Sequence, residues 1–85
     1  MKGKEYCNKQ LIFEGEYVNG KRCKGKEIKY GYWNKILEFD FETKDGQIFG
    51  KIKEYDDRIG KLIFEGEYLN GKRNGKGKEY YYMGN

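Results

Sequence analysis

Residues 11–18 read LIFEGEYV, and residues 62–69 repeat this almost unchanged as LIFEGEYL. In both segments apolar or aromatic side chains alternate with glutamates, the period-two pattern of a strand with one buried face. Alternation puts Leu11, Phe13 and Tyr17 on one face with Gly15 among them, and Leu62, Phe64 and Tyr68 likewise with Gly66. Glu14, Glu16, Glu65 and Glu67 point the other way. A glycine in mid-strand weakens the strand unless something large covers the gap. A neighbouring aromatic ring is therefore expected over Gly15 and over Gly66.

The alternation recurs along the whole chain. Residues 11–22 and 62–73 differ at one position of twelve, and residues 37–48, LEFDFETKDGQI, form a degenerate copy with Phe41 at the position of Gly15. Leu11 and Leu37 are 26 residues apart, and Leu37 and Leu62 are 25 apart. A second block follows each copy, GKEI at 25–28, IKEY at 52–55 and GKEY at 77–80, and a further GKEY at 3–6 precedes the first. Periods of this length mark repeat architectures. The pattern predicts seven strands, at about 2–6, 11–18, 24–30, 36–43, 50–55, 61–69 and 76–82. The layout is half a unit at 2–6, then units at about 11–30, 36–57 and 61–82, in one domain spanning 1–85.

Asn19-Gly20, Asp45-Gly46 and Asn70-Gly71 supply the positive φ that tight hairpins need. The glycines that follow, Gly50, Gly75 and Gly77, argue for a wider loop. A five-residue loop at 70–74 sets Phe64 opposite Tyr80 and Leu62 opposite Tyr82, whereas a two-residue turn sets Phe64 against Gly77. Cross-strand aromatic pairs stabilise a sheet by roughly 0.2–1 kcal/mol each. On that ground the wide loop is preferred, with Phe39 opposite Tyr55 and Phe13 opposite Ile28.

At these residues the chain resembles the MORN repeat family, whose units run Tyr/Phe-x-Gly-x-aromatic, then a Gly-Lys-Arg turn, then Gly-x-Gly. FEGEYLNGKRNGKGKEY at 64–80 matches throughout, and FEGEYVNGKRCKGKEI at 13–28 lacks one glycine after Cys23. Residues 39–55 keep Phe39, Gly46 and Gly50 but not the glycines expected at Phe41 and Ile52. The resemblance implies an all-β fold, a twisted, open, single-layer antiparallel meander of about three hairpins. It also implies a role in protein contact, oligomerisation or membrane attachment, and no reaction.

Composition narrows the function. With 36% hydrophobic and 38% charged residues among 85, a thick core is out of reach, although 18% aromatic content offers large rings for burial. The chain has no His and no Ser, and Thr43 is its one threonine. Nucleophile–base pairs need an imidazole or similar base beside a hydroxyl or thiol. Catalysis, a cofactor and a metal are therefore not expected. Cys7 and Cys23 are too few for a zinc site from this chain alone. The strand between them separates them by on the order of 20 Å, which predicts free thiols and a reducing, cytoplasmic setting. No apolar run approaches the length of a membrane-spanning helix. The net charge of +4 is spread as interleaved Lys and Glu, the mark of a self-paired, solvated surface.

Three features are candidate interaction sites. The first is one aromatic stripe, Leu11, Phe13, Tyr17, Ile28, Leu37, Phe39, Tyr55, Leu62, Phe64, Tyr68 and Tyr80, its inner members forming the core and its rim tyrosines meeting a partner. Partner contact is expected at Tyr17, Trp33, Phe49, Tyr55, Tyr68, Tyr80 and Tyr82. Ile48 and Phe49 are either tucked against the connector holding Tyr32 and Trp33 or open to a partner. The second is the C-terminal strand edge, where Tyr80-Tyr81-Tyr82 does not carry the charge that usually blunts an edge. Edge-to-edge dimerisation or strand addition is the corresponding expectation. The third is the basic hairpin tips, Lys21, Arg22 and Lys24 with Lys72, Arg73 and Lys76, which suit anionic lipid head groups. The middle tip, Gln47-Ile48-Phe49, interrupts that ridge. Nucleic acid is not expected, since the alternating acids repel phosphate. The leading reading is a protein-interaction or scaffolding module, acting on a protein partner or as a homo-oligomer. The alternative is a peripheral binder of an anionic membrane surface.

Overall fold

The computed structural model describes residues 1–82. Seven strands form a single antiparallel sheet in chain order: β1 (Lys2–Cys7), β2 (Gln10–Val18), β3 (Lys21–Tyr30), β4 (Lys35–Lys44), β5 (Gln47–Tyr55), β6 (Leu62–Leu69) and β7 (Lys72–Glu79). Every strand pairs only with its sequence neighbours, and the molecule measures 49 × 34 × 13 Å. A thickness of 13 Å leaves room for one sheet and its side chains. The fold is all-β, open and single-layered, as the repeat predicts.

The hairpin turns depart from expectation. β2–β3, β4–β5 and β6–β7 close with two-residue turns whose Asn or Asp has φ of 50–53° and whose glycine has φ of 76–84°. This is the type I′ geometry, whose twist matches that of the strands it joins. The extra residues that suggested a wide loop are absorbed as bulges instead. Cys23 is skipped between Glu16↔Lys24 and Tyr17↔Arg22. The third hairpin takes up its additional length between Gly66↔Gly77 and Tyr68↔Arg73. Phe13 therefore faces Glu27 rather than Ile28, Phe39 faces Ile52 rather than Tyr55, and Phe64 faces Glu79 rather than Tyr80.

Further bulges sit in the other strand pairs, and each leaves an isoleucine out of the ladder. Ile12, Ile36 and Ile63 are skipped where β1 meets β2, β3 meets β4 and β5 meets β6. Directly opposed residues share a face, and side chains alternate along a strand. By that rule the expected stripe divides. Phe13, Tyr17, Leu37, Phe39, Phe64 and Tyr68 lie on one face, joined by Phe41 and Ile52. Ile28, Tyr55 and Tyr80 lie on the other, and Leu11 and Leu62 pair with Tyr6 and Tyr55 beside the bulges. A one-residue change of register moves a side chain to the opposite face. The tyrosines changed face for that reason.

On the aromatic face Phe13 is fully buried, with Ile52 and Phe64 close behind. A thin sheet buries them by laying rings over glycine. The Phe13 Cζ comes within 2.9 Å of where a Cβ on Gly15 would sit, and Phe64 comes within 2.8 Å at Gly66 and 3.0 Å at Gly77. The rings expected over Gly15 and Gly66 thus come from the residue two positions earlier in the same strand. The middle unit lays Phe39 over Gly50, 2.5 Å from where a Cβ would sit, and adds stacking: Phe39 and Phe41 lie 5.5 Å apart with an interplanar angle of 16°. Phe41 also approaches Phe13, and Phe39 approaches Tyr68, each at 6.0 Å between ring centres, so the rings run across the sheet.

Candidate interaction surfaces

On the aromatic face each full repeat carries an arginine laid over its phenylalanine. Arg22 stands two residues past the Asn19-Gly20 turn, and its guanidinium lies 4.5 Å from the centre of the Phe13 ring. Glu5, Phe13 and Glu27 form one cross-strand row, and Arg22 bonds both flanking carboxylates, Glu5 at 2.6 Å and Glu27 at 2.8 Å. Arg73 repeats this in the third unit, 3.9 Å from the Phe64 ring and 2.9 Å from Glu54. Glu54, Phe64 and Glu79 form the equivalent row. A planar guanidinium suits this position because it can stack on a ring and reach carboxylates at its edge. Ile48 takes the corresponding place in the middle unit, so no arginine lies over Phe39.

The titration behaviour follows from these pairs. Arg22, together with the Tyr17 hydroxyl that donates to Glu5, lowers the Glu5 carboxyl from 4.5 to about 2. The same bond raises the Tyr17 phenol. Burial, then the Glu38 carboxylate that accepts from its hydroxyl, pushes Tyr55 up to about 12. Burial works against ionised Glu38, yet Tyr55, Lys35 and Lys26 still hold its carboxyl below the usual range. These shifted groups sit in pairs that tie neighbouring strands together.

The opposite face is a lattice of alternating charge. One row across the sheet reads Lys4, Glu14, Lys26, Asp40, Lys51, Glu67. Another reads Lys2, Glu16, Lys24, Glu42, and a third reads Glu38, Lys53, Glu65, Lys78. Odd-numbered strands supply the lysines and even-numbered strands the acids. Opposite charges directly across a pair of strands stabilise it, and like charges oppose it. A hollow of about 660 Å³ lies over β5–β7 on this face, walled by Lys51, Lys53, Glu65, Glu67, Lys76 and Lys78. Its floor includes Gly66 and Gly77.

The residues singled out from sequence are thereby dispersed. Tyr17 and Tyr68 lie half-buried on the aromatic face, Tyr17 edge-on to Phe13 at 5.4 Å. Tyr55 and Tyr80 lie half-buried on the charged face, with Tyr80 donating to Glu65 at 2.5 Å. Phe49 is 44% exposed, opposite Glu42 and Leu69. Trp33 is 63% exposed and packs edge-on against Tyr32 at 4.9 Å. Tyr32 and Trp33 occupy the connector edge of the ribbon, whereas Ile48 and Phe49 occupy the hairpin-turn edge. The two pairs do not meet. Ile48 instead exchanges backbone bonds with the next turn, its amide donating to the Asn70 side chain and its carbonyl accepting from the Asn70 amide.

The C-terminal tyrosines do not extend the edge strand. β7 ends at Glu79; the Tyr80 amide donates to the Ile63 carbonyl, and the Tyr82 hydroxyl donates to the Leu62 carbonyl at 2.6 Å. The edge presented by β7 is KRNGKGKE, which is strongly basic. The basic tips also divide. Arg22 and Arg73 are folded back over rings, and Lys24 sits between Glu16 and Glu42. Lys76 walls the hollow, while Lys21 and Lys72 stand exposed beside the turns. Both cysteines are free thiols, and the Cys23 Sγ donates to the Glu16 carbonyl.

One contributor to the architecture gave no sequence signal. Asp57, in the connector after β5, accepts from the backbone amides of Tyr32, Trp33 and Asn34 at 2.8–2.9 Å. It joins two connectors 23 to 25 residues apart in the chain. The amides of Asn34 and Trp33, with that of Tyr32, hold its carboxyl below the usual range. The arginines did leave a trace, the Lys-Arg that follows each Asn-Gly, but their inward direction depends on the register.

The model of the MORN repeat matches residues 13–23 and 64–85, the segments where ring, glycine and arginine recur in this geometry. Those two segments carry MORN repeats. No curated protein and no solved structure matches the chain. MORN repeats are generally modules of protein or membrane interaction. The two matched MORN segments begin at the ring-bearing phenylalanines, Phe13 and Phe64. The middle unit, outside the match, has Phe41, Thr43 and Ile48 where a full MORN unit here has glycine, tyrosine and arginine.

Proposed function

We propose that this MORN-repeat chain is a non-catalytic scaffold that binds a protein partner on its aromatic face. The observation that carries this reading is the thickness of 13 Å, with a band of rings from Tyr17 through Phe41 to Tyr68 under no second layer. Half-buried rings on a rigid sheet are efficient contact residues, because they present large area with few rotamers to order. The charged face is the poorer docking surface, since its lysines and acids already face one another. The lipid alternative loses Arg22 and Arg73 from its expected contact set, because both are engaged with rings and carboxylates.

The test compares two variants of the whole chain in partner capture and in co-sedimentation with anionic phospholipid vesicles. Phe41→Lys with Tyr68→Lys is expected to lose the captured protein, while Lys21→Glu with Lys72→Glu keeps it and neither variant's parent sediments with vesicles. The double lysine variant must retain its β-sheet circular dichroism. Vesicle binding by the parent that disappears in Lys21→Glu with Lys72→Glu would instead establish the membrane reading.

A further inference from the structure

Each unit sets a carboxylate directly across from its phenylalanine, on the strand before it. Glu5 faces Phe13, Glu27 faces Phe39 and Glu54 faces Phe64. In the first and third units an arginine closes this pair, stacking on the ring and bonding the carboxylate. The middle unit keeps the ring and the carboxylate and lacks the arginine. Ile48, two residues past the Asp45-Gly46 turn, stands at the ladder position that Arg22 and Arg73 hold in their own hairpins.

The consequence is visible in burial. Phe13 and Phe64 are buried beneath their arginines, whereas Phe39, on the central strand β4, is only half-buried with Phe41 stacked beside it. Glu27 gives its Oε2 to Arg22 at 2.8 Å, and among the described residues its Oε1 has no hydrogen-bonding partner. Lys29, on the same face opposite Leu37, stands exposed and does not fill the place. For such a ring both full units use arginine and leave the adjacent Lys21 and Lys72 exposed. A planar guanidinium stacks on a ring and bonds a carboxylate at the same time, which a compact ammonium does less well. We infer that Phe39 and Glu27 form a receptor for an arginine side chain of the partner protein. That arginine completes the middle unit from outside, as Arg22 and Arg73 complete the flanking units from within. The inference rests on the aromatic face being the docking surface and names the side chain that it takes.

The probe is N-acetylarginine amide, titrated into the whole chain at millimolar concentration and followed by NMR. Its shifts are expected to centre on the Phe39 ring, the Glu27 side chain and Ile52, with none from the neutral isostere N-acetylcitrulline amide. Glu27→Gln should weaken the arginine response about threefold, the scale of a part-exposed cation contact. Ile48→Arg is expected to abolish the response and to raise the urea midpoint, because the chain then fills its own site. Shifts elsewhere, no shifts, or equal shifts with citrulline amide overturn the inference. In partner capture, Ile48→Arg should lose the protein that Lys21→Glu with Lys72→Glu keeps. Capture kept by Ile48→Arg but lost by Phe41→Lys with Tyr68→Lys overturns the arginine receptor and leaves the aromatic-face reading standing. Capture kept by both removes that reading and the receptor with it. Arg58, exposed on the connector after β5, is the chain's remaining arginine. Light scattering that shows a dimer dissolved by Arg58→Gln would make the occupant a second copy and overturn the assignment to a partner protein.

Discussion

Phe13 and Gly15 act as one unit. The ring can be buried in a single-layer sheet only because the strand beneath it has no side chain two positions on, and a Cβ at Gly15 would also run into the Lys24 carbonyl. Gly15→Ala is expected to cost about 1–3 kcal/mol through forced displacement of ring or backbone. Phe13→Ala is expected to cost about 3–5 kcal/mol through the cavity and lost burial. Urea unfolding of the two variants and their double mutant checks this. The double mutant should cost less than the sum of the single changes, because without the ring the added methyl has only the backbone to displace. The glycine–ring pairing was legible in the sequence as a requirement; which ring met it was not. The arginine over the ring was hidden, because its position depends on a bulge at Cys23 that no local pattern announces.

Among the elements, the places where hairpins turn were readable, but the two-residue length of the turns and the registers were not. Asn-Gly and Asp-Gly dictate a two-residue turn through their tolerance of positive φ, and that preference overrode the gain from aromatic pairing. The two-residue turn of β4–β5, a ladder without a bulge, put Tyr55 on the charged face. β2–β3 and β6–β7 accommodated their surplus residues in bulges, the first of which moved Ile28 to that face. The connectors are organised differently, by one carboxylate. Asp57 gathers the three amides at the start of the Tyr32–Asn34 turn and so orients Trp33. Since Trp33 is the chain's one tryptophan, its fluorescence reports this contact. Asp57→Ala is expected to change the Trp33 emission and to speed exchange of the amides of Tyr32, Trp33 and Asn34 severalfold, consistent with local opening. The sheet's circular dichroism should persist. Unchanged exchange at those amides would remove Asp57 from this role.

At the scale of the whole molecule, the strands contact only their neighbours, so stability is a chain of adjacent interfaces with charge pairs crossing many of them. Two pairs set its dependence on pH. Glu5 is lowered from 4.5 to about 2 in the fold, so its contribution is complete above 4.5 and is lost as pH falls toward 2. Tyr55 is raised from 10.0 to about 12, so its contribution is complete below 10 and is lost as pH rises through 12. Urea midpoints are expected to hold a plateau between those limits and to decline on either side. Arg22→Gln should flatten the acid limb, and Tyr55→Phe the alkaline one; limbs unaltered by these changes would assign the pH dependence to other groups. The sequence by itself determined the strand count, the meander and where its hairpins turn, because alternation, repetition and Asn-Gly chemistry act over a few residues. Only the tertiary structure decided which residues face each other, since a bulge of one residue, set by the summed fit of rings, glycines and charges across several strands, transfers a side chain from one surface of the sheet to the other.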